Sequence, residues 1–159
     1  FTYGVYSKWR NRWSADIISS LNELYVEHFV SRHPRDKGDY ANIKVISSNA
    51  FQVEQQIEKA SIVVSRFSQV IYEALLQGRY VVYYDPHCEH EKTIKENCGD
   101  TIFYAQNKTQ LKKALSLALE KVNKKETPDF KEFLTYHCGP QDGEAALRCK
   151  AALSFLNTL

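Results

Sequence analysis

The chain has 159 residues, 43% hydrophobic and 25% charged, the size and make-up of one folding unit that can bury a core without disulfides or metals. Its 21 Lys and Arg against 19 Asp and Glu leave a formal net charge of +2, which gives no electrostatic reason for a nucleic acid or a membrane surface as main partner. No apolar run nears the roughly 18 residues needed to cross a bilayer, and no charged-then-apolar leader is present, so a soluble domain with no transmembrane segment is expected.

Four cysteines, Cys88, Cys98, Cys138 and Cys149, form no Cys-x-x-Cys pair. They read as reduced thiols of a cytoplasmic protein rather than as a zinc knuckle or a redox motif. Met is absent and Phe1-Thr2-Tyr3-Gly4 looks like the tail of a strand entering a turn. The expectation is therefore a single domain over residues 1–159 with further chain, an N-terminal domain of the same protein, before Phe1.

In chain order, Ser14 precedes apolar residues at helical spacing and predicts a helix over 14–24, with the basic and aromatic stretch 3–13 as the loop leading into it. Residues 25–30 are β-rich and end before Pro34, which delivers His33 to the end of a strand. A strand over 43–46, a helix over 52–59 and a buried strand over 61–64 follow. A helix over 69–77 stops at Gly78, a residue free to take the left-handed conformation. The rest reads as a strand over 80–84, a polar helix over 89–97, a strand over 101–104 and an amphipathic helix over 108–122. Two C-terminal helices complete it, one from Pro128 to about 136 and one over 144–156 after the break at 139–143.

Short strands alternating with helices predict βαβ crossovers: a Rossmann-like, doubly wound parallel sheet with helices on both faces and extra C-terminal helices. Ligands of such sheets bind beyond the carboxyl ends of the strands, which singles out Tyr3-Gly4, His33-Pro34, Ser47-Ser48, residues 65–68 and residues 85–90. Ser65 and Ser68 bracket the start of the 69–77 helix, where free N–H groups and the dipole favour a phosphate, although Ser68 alone is what any N-cap looks like. Lys8, Arg10 and Arg12 offer charge to an anionic ligand, and Trp9 and Trp13 offer ring faces to a sugar or base. The same aromatics equally suit packing against preceding chain.

Several readings are disfavoured. His87, Cys88, Glu89, His90 and Glu91 crowd one loop, whereas structural zinc draws its ligands from two separated pairs, so no metal is expected. Cys88 or Cys138 beside neighbouring histidines lacks the geometry of an activated nucleophile, and there is no Gly-x-Ser-x-Gly elbow. No dinucleotide fingerprint and no Walker lysine loop occurs.

The block from Ala60 to Tyr84, a strand ending in hydroxyl residues, then Glu73-Ala74-Leu75-Leu76-Gln77-Gly78, then a buried strand, resembles the donor-binding segment of B-type glycosyltransferases. The dipeptide His33-Pro34, about thirty residues earlier, is similar to the His-Pro motif of bacterial sialyl-, Kdo- and capsule-type transferases, which also carry a serine motif. The resemblance covers residues 25–115. It implies that the chain is one half of a GT-B fold, holding a nucleotide-sugar donor for transfer to a saccharide or lipid-linked acceptor. Gly4, His33, Ser65, Ser68, Gln69, Glu73 and His87 would then contact the donor, with His33 assisting the leaving group and Glu73 hydrogen-bonding the ribose or sugar. The nucleotide-sugar is the substrate and no cofactor is implied. The retaining members' second glutamate, eight residues before Glu73, is Ser65 here. Two alternatives stay open: a nucleotide-sugar epimerase of the UDP-N-acetylglucosamine type and a non-catalytic interaction module.

Overall fold

The computed structural model describes residues 7–32, 36, 40, 44–47, 50–66, 68–88 and 102–156. Its elements are α1 (Ser7–Glu23), β1 (Val30–Arg32), β2 (Val45–Ser47), α2 (Ala50–Lys59), β3 (Ile62–Ser65), α3 (Val70–Leu76), β4 (Tyr80–Tyr84), β5 (Ile102–Ala105), α4 (Lys108–Asn123), α5 (Lys131–Cys138) and α6 (Ala145–Leu156). The architecture is mixed α/β with two small sheets, one pairing β1 with β2 and the other ordered β3-β4-β5, both parallel throughout.

The central strand β4 is buried along its whole length, as its unbroken Tyr-Val-Val-Tyr-Tyr run predicts for a strand covered on both faces. Its side chains alternate between two cores. Val81 and Tyr83 join Ile57 of α2, Ile71, Ala74 and Leu75 of α3, and Phe133 and Leu134 of α5. Tyr80, Val82 and Tyr84 join Ile17 of α1 and Leu111, Ala114, Leu115 and Ala118 of α4. Helices thus lie on both faces of the three-stranded sheet. Apolar residues at 111, 115 and 118 recur at helical spacing, so α4 presents one stripe inward and its lysines to water.

Three helices close with the same backbone turn. After α3, Gly78 N–H bonds to the Leu75 carbonyl (2.9 Å) and Arg79 N–H to the Ala74 carbonyl (2.9 Å), with Gly78 at φ +68°. After α1, Tyr25 (φ 55°) and Val26 bond back to Asn22 and Leu21, both at 3.1 Å. After α4, Lys125 (φ 57°) and Glu126 bond back to Val122 (2.9 Å) and Lys121 (3.0 Å).

The structure corrects several predicted boundaries. α1 starts at Ser7, not at 14, because Trp13, Ile17, Leu21 and Leu24 continue one inward stripe and the Ser14 hydroxyl donates to the Arg10 carbonyl one turn back (2.9 Å) instead of capping. β1 starts at Val30 rather than 25, since residues 24–26 belong to the closing turn of α1. α5 starts at Lys131, three residues beyond Pro128, where the Asp129 carboxylate accepts the Lys131 N–H (3.3 Å). The helix expected over 89–97 lies outside the described residues. α6 forms where predicted and is exposed along its described side chains, among them Leu147, Leu153 and Phe155. No helix among the described residues is long and apolar enough to cross a membrane.

Candidate functional site

Parallel pairing puts the carboxyl ends of β3, β4 and β5 on one edge of their sheet, with Ser65 level with Tyr83 and Tyr84 level with Ala105. The chain leaves β3 through Ser65-Arg66 and re-enters α3 through Ser68-Gln69. Ser65 Oγ donates to the Arg66 carbonyl (2.8 Å) and Ser68 Oγ accepts the Val70 N–H (3.3 Å). The Ser68 carbonyl takes the Ile71 N–H (3.2 Å), and the Gln69 carbonyl takes those of Tyr72 (3.0 Å) and Glu73 (3.3 Å). The first-turn N–H groups that sequence reasoning offered to a phosphate are therefore engaged within the turn itself. What the turn can present is the hydroxyl hydrogen of Ser68 and the side chains around it. Gln69, the residue before α3, and Glu73, in its first turn, are both exposed.

Two charged residues at this edge lie within the segments that the sequence singled out but were given no role of their own there. Arg66 is 9% exposed and Asp85, directly after β4, is 5% exposed. The Asp85 N–H extends the ladder to the Ala105 carbonyl (2.8 Å), which carries the chain past Tyr84 before it turns.

Of the stretch 3–13 expected to be a loop, the described residues 7–13 are helical, and these first turns of α1 sit against the same edge. Trp13 Nε1–H donates to the Tyr84 carbonyl (2.9 Å), and its ring packs on the Tyr84 ring at 6.5 Å between centroids. The Tyr84 hydroxyl donates to Asp16 Oδ2 (2.7 Å). Burial, then the Asp16 bond, hold that phenol above its ordinary range. One turn earlier, Trp9 lies nearly parallel to the His87 ring (centroids 4.6 Å apart, 14° between planes), and His87 Nε2 donates to the Trp9 carbonyl (3.2 Å). Trp9 and His87 are thus brought together, while Trp13 is committed to β4.

Arg10, which the sequence offered to an anionic ligand, is paired within the chain. Its guanidinium meets Asp36 Oδ1 at 3.3 Å, both side chains mostly buried, and bonds Asn11 Oδ1 as well. Tyr40 donates to the other Asp36 oxygen, and burial, then Asp36, push its hydroxyl up to about 12. This cluster ties the segment after β1 to α1. Lys8 and Arg12 remain exposed, Arg12 only 4.0 Å from Asp16.

Gly4 and His33 lie outside the described residues, as do Ser48 and residues 89–91. Among the described residues no group of three His, Cys, Asp or Glu is placed to hold a metal ion. Cys88, Cys138 and Cys149 are exposed free thiols, and Cys98 falls outside the described residues. Asp36 and Tyr40 were given no role because Asp36 pairs with Arg10, a partner 26 residues away; Arg66 and Asp85 stood in segments singled out past predicted strands, but no local signal marks their burial. No family model, no curated protein and no solved structure matches the chain.

Proposed function

We propose that the chain is the donor-binding half of a two-domain glycosyltransferase, with its two parallel sheets as flanks of one doubly wound, Rossmann-like sheet. A nucleotide-sugar would sit across the carboxyl edge of β3 and β4. The observation that carries this reading is the β3-turn-α3-β4 unit: residues 62–84 form a parallel βαβ whose turn sets the Ser65 and Ser68 hydroxyls at the strand end, with Glu73 in the first turn of α3 and Gly78 at its close.

In this reading the Ser68 hydroxyl donates to a donor phosphate, because the Ser65 hydroxyl and the N–H groups of the α3 first turn are already bonded within the turn. Arg66, mostly buried between the two serines, supplies compensating charge at the turn. His33 assists the leaving group, and Glu73 and His87 contact the sugar or base. The base that deprotonates the acceptor hydroxyl belongs to the other half of the enzyme, so catalysis needs both halves.

Calorimetric titration of the chain with CMP, UDP, GDP and CDP tests this, repeated on Ser68→Ala and His33→Ala. Saturable binding of one nucleotide, weakened about tenfold or more by each substitution, is the expected result. Absence of binding by every nucleotide at millimolar concentration refutes the donor-site reading for this domain.

A further inference from the structure

At the amino edge of the three-stranded sheet, opposite the serine turn, a knob and a hole stand side by side. The ends of α1 and α4 meet there: the Tyr80 hydroxyl, at the start of β4, donates to the Glu126 carbonyl in the turn closing α4 (3.1 Å), and Leu24 at the end of α1 packs on the core that α4 shares. Between the two helix ends lies an open recess of about 450 Å³, lined by Leu24, Ser116, Leu119, Glu120, Asn123 and Lys124. Its two charges are closed on each other, Lys124 Nζ to Glu120 Oε1 at 2.6 Å, which leaves Leu24 and Leu119 as its apolar floor. Tyr25 follows Leu24 and is 96% exposed, so its ring neither fills the recess nor rests on any other part of the fold. It is held at φ 55°, a conformation costly to any residue with a Cβ, where glycine serves the same turn after α3. A wet aromatic in a strained turn gives the fold nothing, whereas a tyrosine anchor beside an apolar recess is the make-up of an interface core.

We infer that this patch is a self-association surface, on which each copy of the chain inserts Tyr25 into the Leu24–Leu119 recess of a second copy. The occupant is a second copy because the patch carries both halves of the contact. A partner offering only a protruding side chain would fill the recess and leave Tyr25 wet, and one offering only a groove would cover Tyr25 and leave the recess open. A two-fold axis beside Leu24 satisfies both at once, since the same patch then meets itself and the assembly closes at two copies. If the axis runs the two α4 helices antiparallel, Lys124 faces Glu120 of the other copy, so unlike charges meet around the anchor. One anchor per copy is a small contact, which places it among weak and transient interfaces. The inference is independent of the donor-binding reading: pairing at the amino edge leaves the carboxyl edge of β3 and β4 open.

Sedimentation velocity of the whole chain from about 10 µM to about 1 mM tests it. The parent should show a reversible, concentration-dependent rise in mass that levels off at two copies. Tyr25→Ser should weaken pairing about tenfold or more, and Tyr25→Phe should retain it, because the ring carries the contact. Ser116→Arg, which draws an arginine across the recess toward Glu120 one turn on, should weaken it comparably. Both positions are exposed, and circular dichroism of each variant separates loss of pairing from loss of fold. An equimolar mixture of Tyr25→Ser and Ser116→Arg should pair more strongly than either variant alone, because one intact ring then meets one intact recess. A parent that stays monomeric throughout overturns the inference, as does pairing untouched by Tyr25→Ser. Growth beyond two copies, or no gain on mixing the two variants, overturns the reciprocal two-fold contact.

Discussion

Three helices end on the same left-handed residue, but only one of those residues is glycine, and that difference sets a stability experiment. Tyr25 at φ 55° carries a Cβ in a conformation that costs an L-residue about 1–2 kcal/mol. Its side chain is 96% exposed, so almost no packing is lost on removing it. Tyr25→Gly relieves the backbone cost but adds freedom to the unfolded chain worth about 0.5–1 kcal/mol, leaving a net stabilisation of about 0.5–1 kcal/mol. For a chain of this length that is a rise in Tm of about 1–4 °C. Tyr25→Ala keeps the cost and should stay within about 0.5 kcal/mol of the parent. Gly78→Ala is the mirror experiment. A Cβ at Gly78 meets nothing within 4 Å, so only the backbone term at φ +68° applies and the variant should lose about 0.5–1 kcal/mol. Urea unfolding of the three variants decides the matter. Destabilisation by Tyr25→Gly, or an unchanged midpoint for Gly78→Ala, refutes the assignment of these turns.

Two further outcomes concern charge. Glu23 accepts bonds from Lys112 (2.8 Å) and Lys108 (3.0 Å), which lower its pKa from 4.5 to about 2. A carboxylate depressed in the folded state stabilises above its unfolded pKa and loses that contribution as pH falls through the folded one. The unfolding midpoints of the parent and Glu23→Gln should therefore converge between pH 4.5 and about 2, and added salt should shrink their difference at neutral pH; a gap constant across that range contradicts the clamp. At the other extreme, Tyr84 and Tyr40 titrate above their ordinary 10.0, Tyr40 at about 12, so the stability they lend is complete below pH 10 and declines as pH rises beyond it. Tyr84→Phe forfeits the bond to Asp16, about 1–3 kcal/mol at neutral pH, and should flatten the alkaline decline measured by urea midpoints.

The interior was easier to read from sequence than the edges. β4 matched its predicted span because five large apolar residues in a row leave no polar face, and the α3 stop was written by Gly78, the residue with no penalty at φ > 0. Tyr25 and Lys125 adopt the same conformation without any local signal; only the bonds closing α1 and α4 impose it. The start of α1 was misplaced because a serine before an apolar run has two uses, capping the next turn or bonding back to the previous one, and Ser14 takes the second. At the site, Ser65, Ser68 and His87 were identified from position past a strand, and the structure puts them at one sheet edge. The Trp9–His87 pairing spans 78 residues and the Arg10–Asp36 pairing 26, distances over which no periodicity carries information.

Both cores are built on opposite sides of β4, and this makes a single five-residue strand the common wall of everything packed around it. Neither layer of helices can peel away without exposing the other face's anchor, so the β3-β4-β5 region should open as one cooperative unit. In hydrogen exchange the amides of Val81, Val82 and Tyr83 would then be the slowest in the chain, released only by global unfolding, while those of α6, whose described side chains all face water, would exchange early.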